Sequence, residues 1–299
     1  MTTMPTPDRR RRRSPSSASV LLGLLALLAA AGCRSGPRPA VDLLYVDLDG
    51  SLLDETSEVP PVNREAVVRI RDAGGRVGVA SGRMPDAGLP HARTIGAELP
   101  AILANGALVL GDGGRPLRIE AMADAEAVEA MCAVIRGAGC QAIYVAHAEL
   151  ASGRVRVEQG RCRAPQRAGW QAIKLRAKRC PEHGGLLARL QRISAGRQTV
   201  IESGAGEWLG ISISALGATK GRAIAFVAER LGVPLARVAF VGDGGNDVSA
   251  GRTLTAAGGR CFAVANAVDA LRAVCPQHTA RPHHRGAVAE AIERLLAPD

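Results

Sequence analysis

Leu43-Leu44-Tyr45-Val46-Asp47-Leu48-Asp49-Gly50 decides how this chain folds: four apolar residues end abruptly at two carboxylates and a glycine. The same arrangement recurs three times. Val77-Gly78-Val79-Ala80 runs into Ser81-Gly82-Arg83, Ala101-Ile102-Leu103-Ala104 into Asn105-Gly106, and Val238-Ala239-Phe240-Val241 into Gly242-Asp243-Gly244-Gly245-Asn246-Asp247. Short apolar runs separated by helix-length segments read as buried parallel strands. Ligands of open α/β sheets bind just outside the carboxyl ends of such strands. All four ends carry a carboxylate, hydroxyl or amide, so the pattern marks an active site as well as a fold.

Working outward, alternation of strand and helix covers residues 41–118, with a helix expected near 62–73 that puts Ala66, Val67, Ile70 and Ala73 on one face. Leu108–Leu110 and Leu117–Ile119 flank a glycine-rich turn and read as a hairpin leaving the sheet. Residues 119–205 differ: helical periodicity at 123–137 and 184–194 mixes with strand-like pieces at 142–146, 155–157, 172–175 and 199–201, and no matching carboxylates follow. The parallel pattern resumes over 206–299, with helices near 220–231 and 286–296 and a strand at 261–264. The expected architecture is α/β, a Rossmann-like parallel-sheet core interrupted by an inserted α+β cap.

Composition narrows the function classes. Hydrophobic residues make up 47% and mean hydropathy is +0.07, as in a globular protein and unlike a disordered one. Most of the +10 net charge sits in residues 1–40, which carry seven Arg against one acid, and aromatics are only 2%. With neither a basic stripe nor stacking platforms, nucleic acid is not an expected partner. Seven Cys show no C-x-x-C and no zinc-like spacing, so they read as small buried hydrophobes. Cations are almost all Arg; the three Lys are Lys174, Lys178 and Lys220.

Asp47 and Asp49, two residues apart past a strand, can turn toward one centre. One can attack an electrophile such as phosphorus while the other donates and then takes a proton. A calcium loop of the EF-hand type is excluded, because its glycine belongs at position 6 and here falls at position 4. Asp243 and Asp247 lie in a glycine loop and can converge with Asp47, and with Asp49 beside it, on a hard cation; oxygen ligation favours Mg²⁺. Ser81 and Gly82 can hold a phosphoryl oxygen. Lys220, in Thr219-Lys220-Gly221 at a helix start, can neutralise the aspartate–phosphate pair, and the longer glycine loop of an ATP-binding P-loop is absent. Asn246 can orient Lys220 or the phosphate, and Arg83 and Asn105 can line a substrate pocket.

These motifs together resemble the haloacid dehalogenase-like phosphatase superfamily, in its Cof-type (IIB) branch. Asp47-Leu48-Asp49-Gly50-Ser51-Leu52-Leu53 is similar to the first motif, with Ser51 where Thr is usual. Ala80-Ser81-Gly82-Arg83, Thr219-Lys220-Gly221 and Gly242-Asp243-Gly244-Gly245-Asn246-Asp247 resemble the second, third and fourth. The resemblance implies Asp47 as nucleophile, Asp49 as general acid/base, Asp243 and Asp247 as Mg²⁺ ligands, and Ser81, Lys220 and Asn246 as phosphate holders. It implies a phosphatase acting on a small phosphorylated metabolite, such as a sugar phosphate. A phosphomutase of the same fold and a non-catalytic envelope phosphosugar-binding lipoprotein are the alternatives. Cap cations Arg154, Arg156, Arg161, Arg163, Lys174, Arg176 and Lys178 can face an anionic substrate or form a solvated strand face.

Residues 1–40 follow the order of an export signal: Arg9–Arg13, an apolar run from Val20, and Ala29-Ala30-Ala31-Gly32-Cys33, which resembles a lipoprotein processing site. Two expectations follow, a membrane-anchored protein lipidated at Cys33 or a cytoplasmic one whose true start lies near Val41.

Overall fold

In the computed structural model, which describes residues 39–204 and 209–298, the opening apolar run forms β1 (Leu43–Val46), every residue of it buried. A helix, α1 (Pro61–Asp72), leads to β2 (Arg76–Val79), and α2 (Pro85–Thr94) leads to β3 (Ala101–Leu103). Then come the hairpin strands β4 (Leu108–Leu110) and β5 (Pro116–Ile119). The middle of the chain supplies α3 (Ala125–Gly137), β6 (Ala142–Glu149), β7 (Arg154–Gln159), β8 (Trp170–Lys178), α4 (His183–Ser194), β9 (Gln198–Ser203) and β10 (Gly210–Ala215). It closes with α5 (Lys220–Arg230), β11 (Val238–Gly242), α6 (Val248–Ala256), β12 (Arg260–Ala263), α7 (Asp269–Arg272), β13 (Gln277–His278) and α8 (Ala287–Leu296).

The core sheet runs β13-β12-β11-β1-β2, parallel throughout, with Tyr45 opposite Phe240 on one side and Gly78 on the other. Strand order reverses at β1, so the crevice for a ligand opens beyond the carboxyl ends of β1 and β11. Leu43, Leu44, Val77, Phe240, Ile70 and Ile292 are fully buried, which places the sheet between α1 and α8 on one layer and α5 and α6 on the other.

One expected parallel strand differs. β3 touches the core sheet through a single parallel bridge, Ala80 to Ile102, and otherwise pairs antiparallel with β4. The 104–106 turn, with Asn105 at φ +60, swings the chain straight into the hairpin before a longer ladder can form.

The insertion forms a five-stranded antiparallel sheet, β7-β6-β8-β10-β9, with α3 burying Val128, Met131 and Ile135 and α4 burying Leu186 and Leu190. Its strand β10 lies at 210–215, past the boundary at 205 read from the sequence, because Gly210-Ile211-Ser212-Ile213-Ser214 alternates like a strand whose polar face is also covered. α2 escapes sequence reading because Pro90 sits inside it.

The cysteines overturn their reading as mere apolar filler. Cys132 pairs with Cys162, Cys140 with Cys180, and Cys261 with Cys275 as disulfides. The partners lie 30, 40 and 14 residues apart and are brought together by the tertiary fold, so spacing alone carried no sign of them. Among the described residues no helix is long and apolar enough to cross a membrane. The signal-like stretch and Cys33 lie outside the described residues.

Candidate active site

Asp47 sits where β1 ends; its N–H still bonds the Val241 carbonyl at 2.9 Å, and its Oδ1 accepts the Leu48 N–H at 2.8 Å. The chain then turns sharply through Gly50 at φ +72. A Cβ at Gly50 would lie 2.2 Å from Asp243 Oδ2, so glycine is what lets the turn pass beneath the second aspartate loop. Ser51 Oγ donates to Asp243 Oδ1 at 3.2 Å, the hydroxyl serving where Thr is usual. On the β11 side, Asp247 Oδ2 accepts the N–H groups of Asp243 and Gly244, both at 2.9 Å, which folds the glycine loop back on itself.

Lys220 joins the two loops. It lies in the first turn of α5, capped by the Thr219 hydroxyl, and is fully buried. Its Nζ is 2.8 Å from Asp47 Oδ1 and 2.6 Å from Asp247 Oδ1. A helix amino terminus disfavours a cation, so the two carboxylates hold the ammonium there. Burial alone would push its pKa down, but Asp247 and Asp47 outweigh that and hold it above the ordinary lysine value.

Oxygens of Asp47, Asp243 and Asp247 lie within 4.8 Å of one another. Burial, then the charge of Asp247, raises Asp47 well above the usual carboxylate range in spite of Lys220. Burial and Asp247 likewise push Asp243 up to about 7. Three carboxylates against one ammonium leave the pocket short of positive charge, and its donors are all hard oxygens. This is the donor set a divalent cation such as Mg²⁺ fits.

The Asp49 side chain stands apart from the three grouped carboxylates. It is 60% exposed and gripped by Arg83, with Nη2 2.6 Å from Oδ1 and Nε 3.0 Å from Oδ2. Burial raises its pKa, but the Arg83 hydrogen bonds and charge prevail and hold it below the ordinary value. The guanidinium competes successfully for this carboxylate because a two-pronged Arg–carboxylate pair is among the strongest ionic hydrogen bonds.

Ser81 is buried, its Oγ accepting the Arg83 N–H at 3.1 Å. Asn246, expected to orient Lys220 or the phosphate, donates from Nδ2 to Asn105 Oδ1 at 3.0 Å. That leaves Asn105 Nδ2, also buried, without a hydrogen-bond partner among the described residues. The cap reaches in as well: Lys174 on β8 is 1% exposed and its Nζ donates to the Gly82 carbonyl. Burial, then Arg176, Lys220 and Lys178, push its pKa well below the ordinary lysine value. Arg176, also buried, donates to Ser212 Oγ at 3.1 Å and to the Ser203 carbonyl at 3.1 Å. Arg154, Arg156 and Arg161 are exposed, and Arg163 is half-buried. The scarcity of Lys was the signal available for Lys174, as for Lys220.

The profile of the haloacid dehalogenase-like hydrolases matches residues 44–164 and 186–292. A search of curated proteins returns no significant match. Among solved structures, a haloacid dehalogenase-like hydrolase from B. subtilis is similar at TM-score 0.68 and 19% identity, over 85% of this chain and 99% of that one. A Thermotoga maritima protein gives 0.65 and 20%, over 87% and 98%. A subclass IIB sugar phosphatase gives 0.67 and 19%, over 85% and 98%. At these identities the likeness establishes the fold, including the antiparallel cap.

The raised Asp243 has a consequence for stability. A carboxyl held near 7 in the folded chain and at its ordinary value when unfolded favours folding only while protonated, so stability falls as pH rises from about 4 through about 7. Thermal melts of EDTA-treated protein should show this fall, and Asp243→Asn should reduce it, leaving the part due to the likewise raised Asp47. An unchanged pH slope in Asp243→Asn would show that Asp243 is not under this strain.

Proposed function

The chain belongs to the haloacid dehalogenase-like hydrolases, and within that family we propose that it is a phosphomonoesterase whose nucleophile is Asp47. The observation that carries this is the Lys220 bridge. Lys220 and the Leu48 N–H both engage Oδ1 of Asp47, which orients Oδ2 as the attacking oxygen. Oδ2 forms the new bond to phosphorus as the ester oxygen leaves. Asp49 gives that oxygen a proton, then takes one from the water that hydrolyses the aspartyl-phosphate. Arg83 holds Asp49 ionised and turned outward, so this role requires Asp49 to leave Arg83, take up a proton from solvent and rotate inward when substrate enters.

Asp47, Asp243 and Asp247 are the residues that would hold Mg²⁺, whose chemistry is to offset carboxylate repulsion of a phosphate dianion and stabilise charge on the transferring phosphoryl group. Ser81 Oγ, the backbone at Gly82, Lys220, Asn246 and the buried Nδ2 of Asn105 are the phosphoryl-oxygen donors. Lys174, Arg176 and Lys178 alternate along β8 and so share a face, which Lys174 shows is turned toward the core. Such a face suits a small, polar, anionic substrate, and a sugar or polyol phosphate is the reading it supports best. The named sugar phosphatase with the same fold supports that class.

Asp47→Asn keeps the shape of the side chain and removes the attacking charge. Phosphatase turnover should fall about a thousandfold or more with folding retained. EDTA should abolish turnover and Mg²⁺ restore it. Near-normal hydrolysis by Asp47→Asn, or full activity without metal, would refute the mechanism.

We further propose that the protein matures outside the cytoplasm, anchored through lipidated Cys33. Its support is the three disulfides, which belong to oxidising compartments, together with the signal-like order of residues 1–33. Protein from native cells should partition into detergent, lose that behaviour in Cys33→Ala, and leave Cys132, Cys162, Cys140, Cys180, Cys261 and Cys275 unlabelled by thiol reagents until reduced. Full labelling without reductant, or a mature chain beginning near Val41, would place it in the cytoplasm.

A further inference from the structure

Behind the catalytic turn lies a second group of ligand atoms that the phosphatase chemistry does not use. Glu55 follows the turn that carries Asp49 and Gly50, while His283 and His284 form a short 3₁₀ turn ahead of α8. One ligand atom from each of the three lies within 4.8 Å of the others. Glu55 Oε1 is 3.6 Å from His284 Nδ1, and the two imidazoles stand nearly perpendicular, 5.0 Å apart. Perpendicular rings aim their lone pairs along different directions, as tetrahedral ligation needs.

Asn266 prepares one of these ligands. Its Oδ1 lies 3.2 Å from His283 Nδ1 and also accepts the His283 backbone N–H at 2.9 Å. A carbonyl oxygen can only accept, so Nδ1 carries the proton and Nε2 keeps its lone pair for a cation. This is the outer-shell hydrogen bond that metal-binding histidines make.

We propose that Glu55, His283 and His284 form a second metal site, selective for a nitrogen-seeking divalent ion such as Zn²⁺ and distinct from the all-oxygen site of Asp47, Asp243 and Asp247. Two imidazoles and a carboxylate suit Zn²⁺ and disfavour Mg²⁺. The site is tied to the catalytic turn, because Asn266 Nδ2 donates to the Gly50 carbonyl at 2.8 Å. An ion bound there fixes His283, and through Asn266 the carbonyl beside Asp49.

The test is Zn²⁺ binding by equilibrium dialysis, using full-length protein without a histidine tag and with Mg²⁺ in large excess to fill the carboxylate site. The native chain should bind one Zn²⁺. His283→Ala and His284→Ala should each weaken that binding by about tenfold or more, and Asp243→Asn should leave it intact. Co²⁺ substituted for Zn²⁺ should show the visible absorption of a nitrogen-ligated tetrahedral ion in the native protein and lose it in His283→Ala. Absence of tight Zn²⁺ binding in excess Mg²⁺, binding unchanged in the double histidine variant, or binding lost in Asp243→Asn would each overturn the assignment.

Discussion

Everything at this site turns on one ammonium group held between two carboxylates away from water. Lys220 is fully buried, and so is Asp247; Asp47 is 4% exposed. Charges so placed are tolerated only when paired, and removing one partner from such a pair costs about 3–5 kcal/mol. Lys220 therefore does structural and chemical work together. It stitches α5 to the ends of β1 and β11, and it fixes Oδ1 of Asp47 so that the other oxygen is oriented. One ammonium does not balance three carboxylates, which is why Asp47 and Asp243 both resist ionisation. That deficit of positive charge suits a divalent cation, and the proposed binding of metal and phosphate rests on it.

The fold brings the groups together by a simple device. A parallel sheet places every strand's carboxyl end on one edge, and the reversal of order at β1 leaves a crevice between the loops after β1 and β11. Close approach then depends on Gly50, since any side chain there would collide with Asp243. The cap completes the enclosure from the other side through Lys174 and the Gly82 carbonyl. Outside this enclosure, Arg83 keeps Asp49 in solvent. Asp47 and Asp49 thus sit in opposite environments, the first pushed toward its neutral form by burial and like charge, the second kept ionised by a guanidinium. The proposed chemistry needs the reverse, an ionised Asp47 and a protonated Asp49, which a bound cation and release from Arg83 would respectively favour.

The sheet, the helices that flank it and most of the site were legible because buried parallel strands are apolar throughout and their ends are polar. β1, β2 and β11 each read that way, and Asp47, Ser81, Lys220, Asp243 and Asp247 follow from the strand ends and one helix start. What escaped depended on contacts between distant segments. The Arg83 grip on Asp49 spans 34 residues, and the Asn105–Asn246 bond spans 141. β10 was hidden because its polar face is buried too, Ser212 against Arg176 and Ser214 against the Ala218 carbonyl. The disulfides were hidden for the same reason, since nothing local in the chain shows which cysteines will meet.

As the proposed nucleophile, Asp47 itself would carry the phosphoryl group during turnover. Rapid acid quench of the Mg²⁺-loaded protein with a sugar phosphate, followed by peptide mass spectrometry, tests it directly. One phosphoryl group should be found on the peptide containing Asp47, located on that aspartate. A phosphoryl group on another residue, or steady turnover with no phosphorylated protein at any quench time, would contradict it.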